Sequence, residues 1–282
     1  MKDYVINRNE FVATSKWKIS NALHMMKLSY SVYAGTTDNV GTREDWSITE
    51  RLVRNAGYDM HKIEATQGIY EPNAMVCWDE ENVFLIFRGT EPTAWNQWAT
   101  DALTQKALFC IGKAHKGFFS AVEVIWPEIV SRLQQIDPDK RKLLFVGGHS
   151  LGAGMSQVAS AKLAFTEENR PPAAVYNFGC PRALNIEGAR IYNELLGLNT
   201  FRVVNNNDIV CNLPLKTMGF SHVGQLKYLT SDGEVLEEPS HARIAREALL
   251  GGIGALANLN PVDFVTDHLP HHYAKRLSAI RD

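Results

Sequence analysis

The sequence is short of several features that would assign its class at once. It has only four cysteines in 282 residues, Cys77, Cys110, Cys180 and Cys211. They make no CxxC pair and no metal-ligand spacing, so neither a zinc site nor a redox motif is expected. It has no excess of one charge: 29 Lys+Arg stand against 31 Asp+Glu, a net charge of −2. A nucleic-acid partner is therefore not expected, because neutralising phosphates takes concentrated basic charge. The densest charged cluster, Asp137-Pro138-Asp139-Lys140-Arg141-Lys142, has mixed sign and reads as a solvated turn. No run approaches the roughly 18 apolar residues of a membrane span, so no transmembrane segment is expected. The first ten residues hold no apolar stretch of signal-peptide length. The resulting expectation is a cytoplasmic protein with free, reduced, mostly buried thiols; a secreted protein with two disulfides is the lesser reading, and non-classical secretion stays open. There is no internal repeat and no low-complexity linker.

What is present is core material. Hydrophobic residues make up 45% and charged residues 21%, which excludes disorder for the bulk of the chain. Buried-strand runs recur at 83–87, 143–146, 174–178 and 201–204. Helical spacing fills the gaps: 118–133 with a kink or restart at Pro127, 151–165, and 188–196. An earlier helix carries Ile19, Leu23, Met26, Tyr30 and Tyr33, with Ser15 as its cap. Residues 35–55 read as polar and turn-rich. Residues 225–230 and 234–236 read as a hairpin, and 242–250 as a final helix. Strands alternating with helices predict an α/β fold with a mostly parallel sheet flanked by helices.

The segment Gly148-His149-Ser150-Leu151-Gly152 carries the pattern G-x-S-x-G between a buried strand and a helix of small residues. A serine on such a sharp strand-to-helix turn takes a strained backbone, and side chains two residues to either side would collide. The helix that follows aims its first N–H groups and its positive end at the place where an oxyanion would form. Ser150 is thus a candidate nucleophile; the plainer alternative is an ordinary serine in a glycine-rich turn.

Such a serine needs a base and a carboxylate to orient it, and in this fold they follow in the order Ser, Asp or Glu, His. Asp208 stands just past a buried strand, where active sites of parallel sheets lie. The plainer alternative is an Asx turn closing the Asn205-Asn206-Asn207 loop. The candidate bases are His222, His241, His268, His271 and His272. Position favours His268 without deciding between them.

Several segments together resemble the class 3 lipases, the fungal-lipase-like branch of the α/β-hydrolases. They are Phe87-Arg88-Gly89-Thr90, Ala114-His115-Lys116-Gly117-Phe118, Gly148-His149-Ser150-Leu151-Gly152-Ala153, Asn177-Phe178-Gly179-Cys180-Pro181-Arg182, Arg202 through Val210, Gly219 through Gly224, and Asp267-His268-Leu269-Pro270-His271-His272-Tyr273. They come in the family's order across residues 20–280. The resemblance implies one α/β-hydrolase domain over 1–282, with Ser150 as nucleophile, Asp208 as acid and His268 as base. It implies structural roles for His222 and His115. Thr90 matches the family's hydroxyl-bearing oxyanion residue, and the N–H of Leu151 would be its partner. A lid segment would fall at 91–103, with Trp95 and Trp98 on an apolar face; packing of those tryptophans on the domain is the alternative. This chain departs from the family at Gln97-Trp98, where Asp-Trp is common, and at Cys180.

The expected function is hydrolysis of carboxylic esters, acylglycerols above all, through an acyl-enzyme on Ser150, without metal or organic cofactor. The expected partner is an ester or lipid substrate, met in transient contact with a lipid interface. The alternatives are a phospholipase A, a soluble carboxylesterase, or a hydrolase-fold binding module that no longer reacts.

Overall fold

A computed structural model describes residues 5–33, 46–65, 73–89, 105–166, 168–240, 242–244 and 266–280. Its strands are β1 (Asp59–Glu64), β2 (Asn73–Trp78), β3 (Asn82–Phe87), β4 (Lys106–Phe109), β5 (Gly112–His115), β6 (Leu143–His149), β7 (Ala174–Phe178), β8 (Leu184–Asn185), β9 (Thr200–Asn205), β10 (Phe220–Ser221), β11 (Gln225–Leu229) and β12 (Val235–Glu237). Its α-helices are α1 (Ile19–Ser31), α2 (Ser47–Asn55), α3 (Lys116–Ile136), α4 (Leu151–Phe165), α5 (Ile186–Leu196) and α6 (Pro270–Ala279).

The main sheet has the order β1-β2-β3-β6-β7-β9-β11-β12. Its middle, from β3 through β6, β7 and β9 to β11, is parallel. The outer pairings β1–β2, β2–β3 and β11–β12 are antiparallel. The apolar runs of the sequence are the middle strands, and the expected hairpin is β11–β12.

Those runs are continuous because the sheet is covered on both sides. Successive side chains point to opposite faces. Val83, Leu85 and Phe87 of β3 join Leu144, Val146 and Val175 in one core, under α3 and α4. Phe84 and Ile86 join Phe145, Tyr176, Phe178 and Phe201 in another, under α1 and α6. Met25, Met26 and Leu28 of α1 fill the second core as packing residues.

Some local expectations need correction. Helix α3 continues through Pro127 without a restart. Lys18, not Ser15, occupies the N-cap of α1, and no side chain caps it. Residues 47–55, read as turn-rich, form α2: Val53 is buried while most of the helix is polar and solvated. A small second sheet, β10-β8-β5-β4, was not foreseen. Of the expected helix at 242–250, residues 245–250 lie outside the described residues. Cys77, Cys180 and Cys211 are buried free thiols, while Cys110 is exposed.

Candidate active site

Three connections at the C-terminal ends of the parallel strands supply the site. Strand β6 ends at His149 and α4 begins at Leu151, leaving Ser150 alone at the turn. Its backbone angles are φ 60° and ψ −126°. A non-glycine residue held there costs about 1–3 kcal/mol. The Ser150 N–H is fastened to the carbonyl of Phe178 at 2.9 Å. The two flanking glycines let the turn close. A Cβ on Gly148 would stand 2.5 Å from the carbonyl carbon of Gly152, and one on Gly152 would fall on the carbonyl oxygen of Phe87.

Asp208 follows β9 by three residues, and His268 sits two residues before α6. The structure brings both to Ser150. His268 Nδ1 lies 3.0 and 2.9 Å from the two oxygens of Asp208, and its Nε2 lies 2.7 Å from Ser150 Oγ. A carboxylate only accepts, so Nδ1 carries the proton and Nε2 accepts from the serine hydroxyl. Ser150, Asp208 and His268 are all buried.

Asp208 also forms the Asx turn that was its plainer reading. Its Oδ1 accepts the Val210 N–H at 2.9 Å. The two readings coexist, since one carboxylate has lone pairs for both. A further donor was missed in the sequence. Tyr273 Oη, on α6, donates to Asp208 Oδ2 at 2.5 Å and accepts the Asn205 N–H at 3.1 Å. Burial alone would raise the carboxyl, but the charge and hydrogen bond of His268 and the Tyr273 bond outweigh it, so the Asp208 pKa lies below its ordinary value. Burial, with the Asp208 charge beside it, pushes the Tyr273 phenol well up and keeps its proton on. The one sequence signal for Tyr273 was its place in the motif that also carries His268.

A second histidine stacks against the first, with ring centroids 4.7 Å apart. His149 Nε2–H donates to the carbonyl of His268 at 2.7 Å, and its Nδ1 faces Tyr33 Oη at 3.2 Å. Burial, then the neighbouring His268, lowers its pKa to about 3, so it stays neutral. Gly179, just after β7, takes φ 59°. A Cβ there would lie 2.9 Å from Asp208 Oδ2 and from His268 Cε1.

The other candidate residues separate from this cluster. His222 Nε2 donates to the carbonyl of Cys211 at 2.9 Å. Burial, with Arg202 and Arg182 nearby, holds its pKa well below normal. His115 packs between Phe118 and Phe220. His271 and His272 stack on each other, 4.3 Å between centroids. Leu151 is the first residue of α4, where backbone N–H groups have no intrahelical acceptor. Thr90, Trp95, Trp98, the segment 91–103 and His241 lie outside the described residues. Burial raises the Cys77, Cys180 and Cys211 thiols, so none of these three is a ready thiolate. Among the described residues no cluster of His, Cys, Asp and Glu fits a metal ion, and no helix is long and apolar enough to cross a membrane.

The family model for Lipase (class 3) matches residues 84–218, which include Ser150 and Asp208. Among curated relatives, the secreted mono- and diacylglycerol lipase A of Penicillium cyclopium is 32% identical over 167 residues, covering 57% of this chain and 52% of the relative. The lipase of Rhizomucor miehei is 29% identical over 172 residues, covering 58% of this chain and 47% of the relative. The chain thus spans about half the length of these curated relatives. Among solved structures, the mono- and diacylglycerol lipase from Aspergillus oryzae has a TM-score of 0.66 at 24% identity, over 80% of this chain and 87% of that one. The α/β-hydrolase fold expected from the motifs is borne out. The cytoplasmic expectation is not. The Penicillium relative is named as a secreted lipase, and that finding counts against it. The first ten residues, on which the cytoplasmic reading rested, do not decide the location.

Proposed function

We propose, from the match to the class 3 lipase model and the likeness to fungal lipases, that the chain is a serine carboxylic ester hydrolase cleaving acylglycerols in an extracellular setting. The observation that carries the reading is the relay Ser150 Oγ–His268 Nε2 at 2.7 Å and His268 Nδ1–Asp208 at 2.9 Å, on a serine with φ 60°. Ser150 Oγ attacks the ester carbonyl as His268 takes its proton. Asp208 holds the ring in the tautomer that accepts this proton and stabilises the imidazolium. The tetrahedral oxyanion is met by the Leu151 N–H at the positive end of α4 and, by its place after Phe87-Arg88-Gly89, by Thr90. Each such donor contributes about 3–4 kcal/mol in comparable systems. Collapse expels the alcohol, protonated by His268, and leaves an acyl-Ser150. Water, deprotonated by His268, then releases the acid. The segment 91–103, with Trp95 and Trp98, remains the proposed lid for contact with a lipid interface.

The test is hydrolysis of p-nitrophenyl esters from C2 to C16 by wild type, Ser150→Ala and His268→Ala. Wild type turns over, and both variants lose about ten-thousandfold or more in kcat while staying folded. A wild type inert to the whole series and to a serine-reactive phosphonate would return the chain to the binding-module reading. An active His268→Ala would shift the base to His222. A phospholipase reading is favoured by one relative, the phospholipase A1-II 4 of Oryza sativa subsp. japonica, 32% identical over 129 residues and matched over 32% of its length. Comparing emulsified diacylglycerol with phosphatidylcholine vesicles decides between the two substrates.

A further inference from the structure

The acid and the base arrive on separate stretches of chain, 60 residues apart. Hydrogen-bonding distance between them therefore depends on how those stretches are fastened to each other. We propose that Asp267 is the positioning residue that fastens them, setting the Asp208–His268 distance through the residues next to each. The inference rests on the hydrolase reading and concerns the same site.

Asp267 immediately precedes His268, and Asn207 immediately precedes Asp208. Asp267 Oδ2 accepts from Asn206 Nδ2 at 2.9 Å and from the Asn207 N–H at 3.3 Å. Its backbone carbonyl accepts from Asn205 Nδ2 at 2.7 Å. Its Oδ1 faces Arg276 Nη2 at 3.5 Å, and Arg276 Nη1 donates to the carbonyl of Thr230, just past β11, at 2.7 Å. One residue of the base's stretch is thus tied to three consecutive residues of the acid's stretch, and through Arg276 to the end of the sheet. Asp267 is only 9% exposed, so water does not readily replace these partners.

The chemistry asks for a carboxylate. Two N–H donors and a guanidinium converge on it, and a carboxylate accepts on both oxygens and carries the countercharge. An asparagine could offer its oxygen to Asn206 and Asn207, but its amide would then face Arg276, donor against donor. Asn206 has φ 46°, a conformation glycine adopts without strain. Asn206→Gly therefore removes one strut while keeping the turn.

The experiment compares wild type, Asp267→Asn and Asn206→Gly with a soluble p-nitrophenyl ester, with thermal melts alongside. Asp267→Asn is expected to lower kcat about tenfold to hundredfold with KM within twofold, the size a small misplacement produces. Asn206→Gly is expected to fall between it and wild type. The low-field proton resonance of His268 Nδ1 should move or broaden in Asp267→Asn, which a purely structural residue remote from the relay would not cause. Unchanged kcat and an unchanged resonance in Asp267→Asn overturn the proposal, as does a kcat loss matched by an equal loss of folded protein. Phosphonate labelling of wild type keeps the two readings apart. If Ser150 is not labelled, the hydrolase reading fails, and the resonance comparison still decides the role of Asp267.

Discussion

Ser150 is held by what its neighbours lack, whereas Asp208 and His268 are held by what theirs supply. The nucleophile's turn closes because Gly148 and Gly152 carry no Cβ, so backbone approaches backbone directly. The acid and base are fixed by hydrogen bonds that the side chains of Asn205, Asn206, Tyr273 and Arg276 donate and that Asp267 and Asp208 accept. Steric exclusion is short in range and confined to one five-residue motif. Hydrogen bonding draws on residues spread from 205 to 276. The first arrangement tolerates almost nothing; the second loses function in steps as single bonds are removed.

The comparison can be broken hardest at the glycines. Gly152→Ala places a methyl on the Phe87 carbonyl, and both atoms belong to rigid elements. The expected result is loss of about 3 kcal/mol or more of stability, or no folded protein, read by thermal melting. Gly179→Ala probes the place where a new Cβ meets side chains instead of backbone. Asp208 and His268 must shift, so we expect kcat to fall about a hundredfold with the fold kept. Tyr273→Phe removes one bond to Asp208 and leaves the ring packed. A hydrogen bond to a charged group contributes about 1.5–3 kcal/mol, so kcat/KM should fall about tenfold to hundredfold, with KM little changed.

The effect of pH falls on stability and is shared among several buried groups. Burial lowers His24 to about 4, His149 to about 3, and His222 well below its ordinary value. Each is neutral when folded and takes up a proton on unfolding once pH falls below about 6.5. More protons bound by the unfolded state means that stability falls as pH falls, by up to about 1.4 kcal/mol per unit for each group, until the folded group also titrates. Asp208 acts lower still. Its contribution is present above its unfolded value near 3.8 and is lost as pH falls through its depressed folded value. Urea melts between pH 7 and pH 4.5 should show the histidine slope, and His24→Gln should lessen it by about one group's share of the three.

Legibility in the sequence follows the same division. The middle strands and Ser150 were readable because local rules produce them: continuous apolar runs for a doubly covered sheet, and paired glycines at a turn. Helix α2 was missed because only Thr49 and Val53 of its nine residues are buried, leaving a polar string. Strands β8 and β10 have two residues each, too few to show alternation. Helix α6 did carry a start signal, Pro270 at its first position, but its own polar face hid the periodicity. Tyr273 and Asp267 lie within the motif that carries His268, yet the partners that tie them to the acid's stretch are 60 to 68 residues away in sequence, a distance no local pattern spans. His268 could be favoured by position; its separation from His222 became visible only when the Cys211 carbonyl was seen to hold the latter.

Glycine is the one coded residue without a Cβ, which makes Gly148 and Gly152 unusual as mutational targets. Every missense codon at either position adds the same offending carbon, whatever else it adds. In a saturation library the two positions should be blank for all substitutions, whether variants are sorted for abundance or for hydrolysis. Ser150 between them should be nearly blank in the second sort and well populated in the first. That contrast separates the residue that reacts from the residues that make room for it.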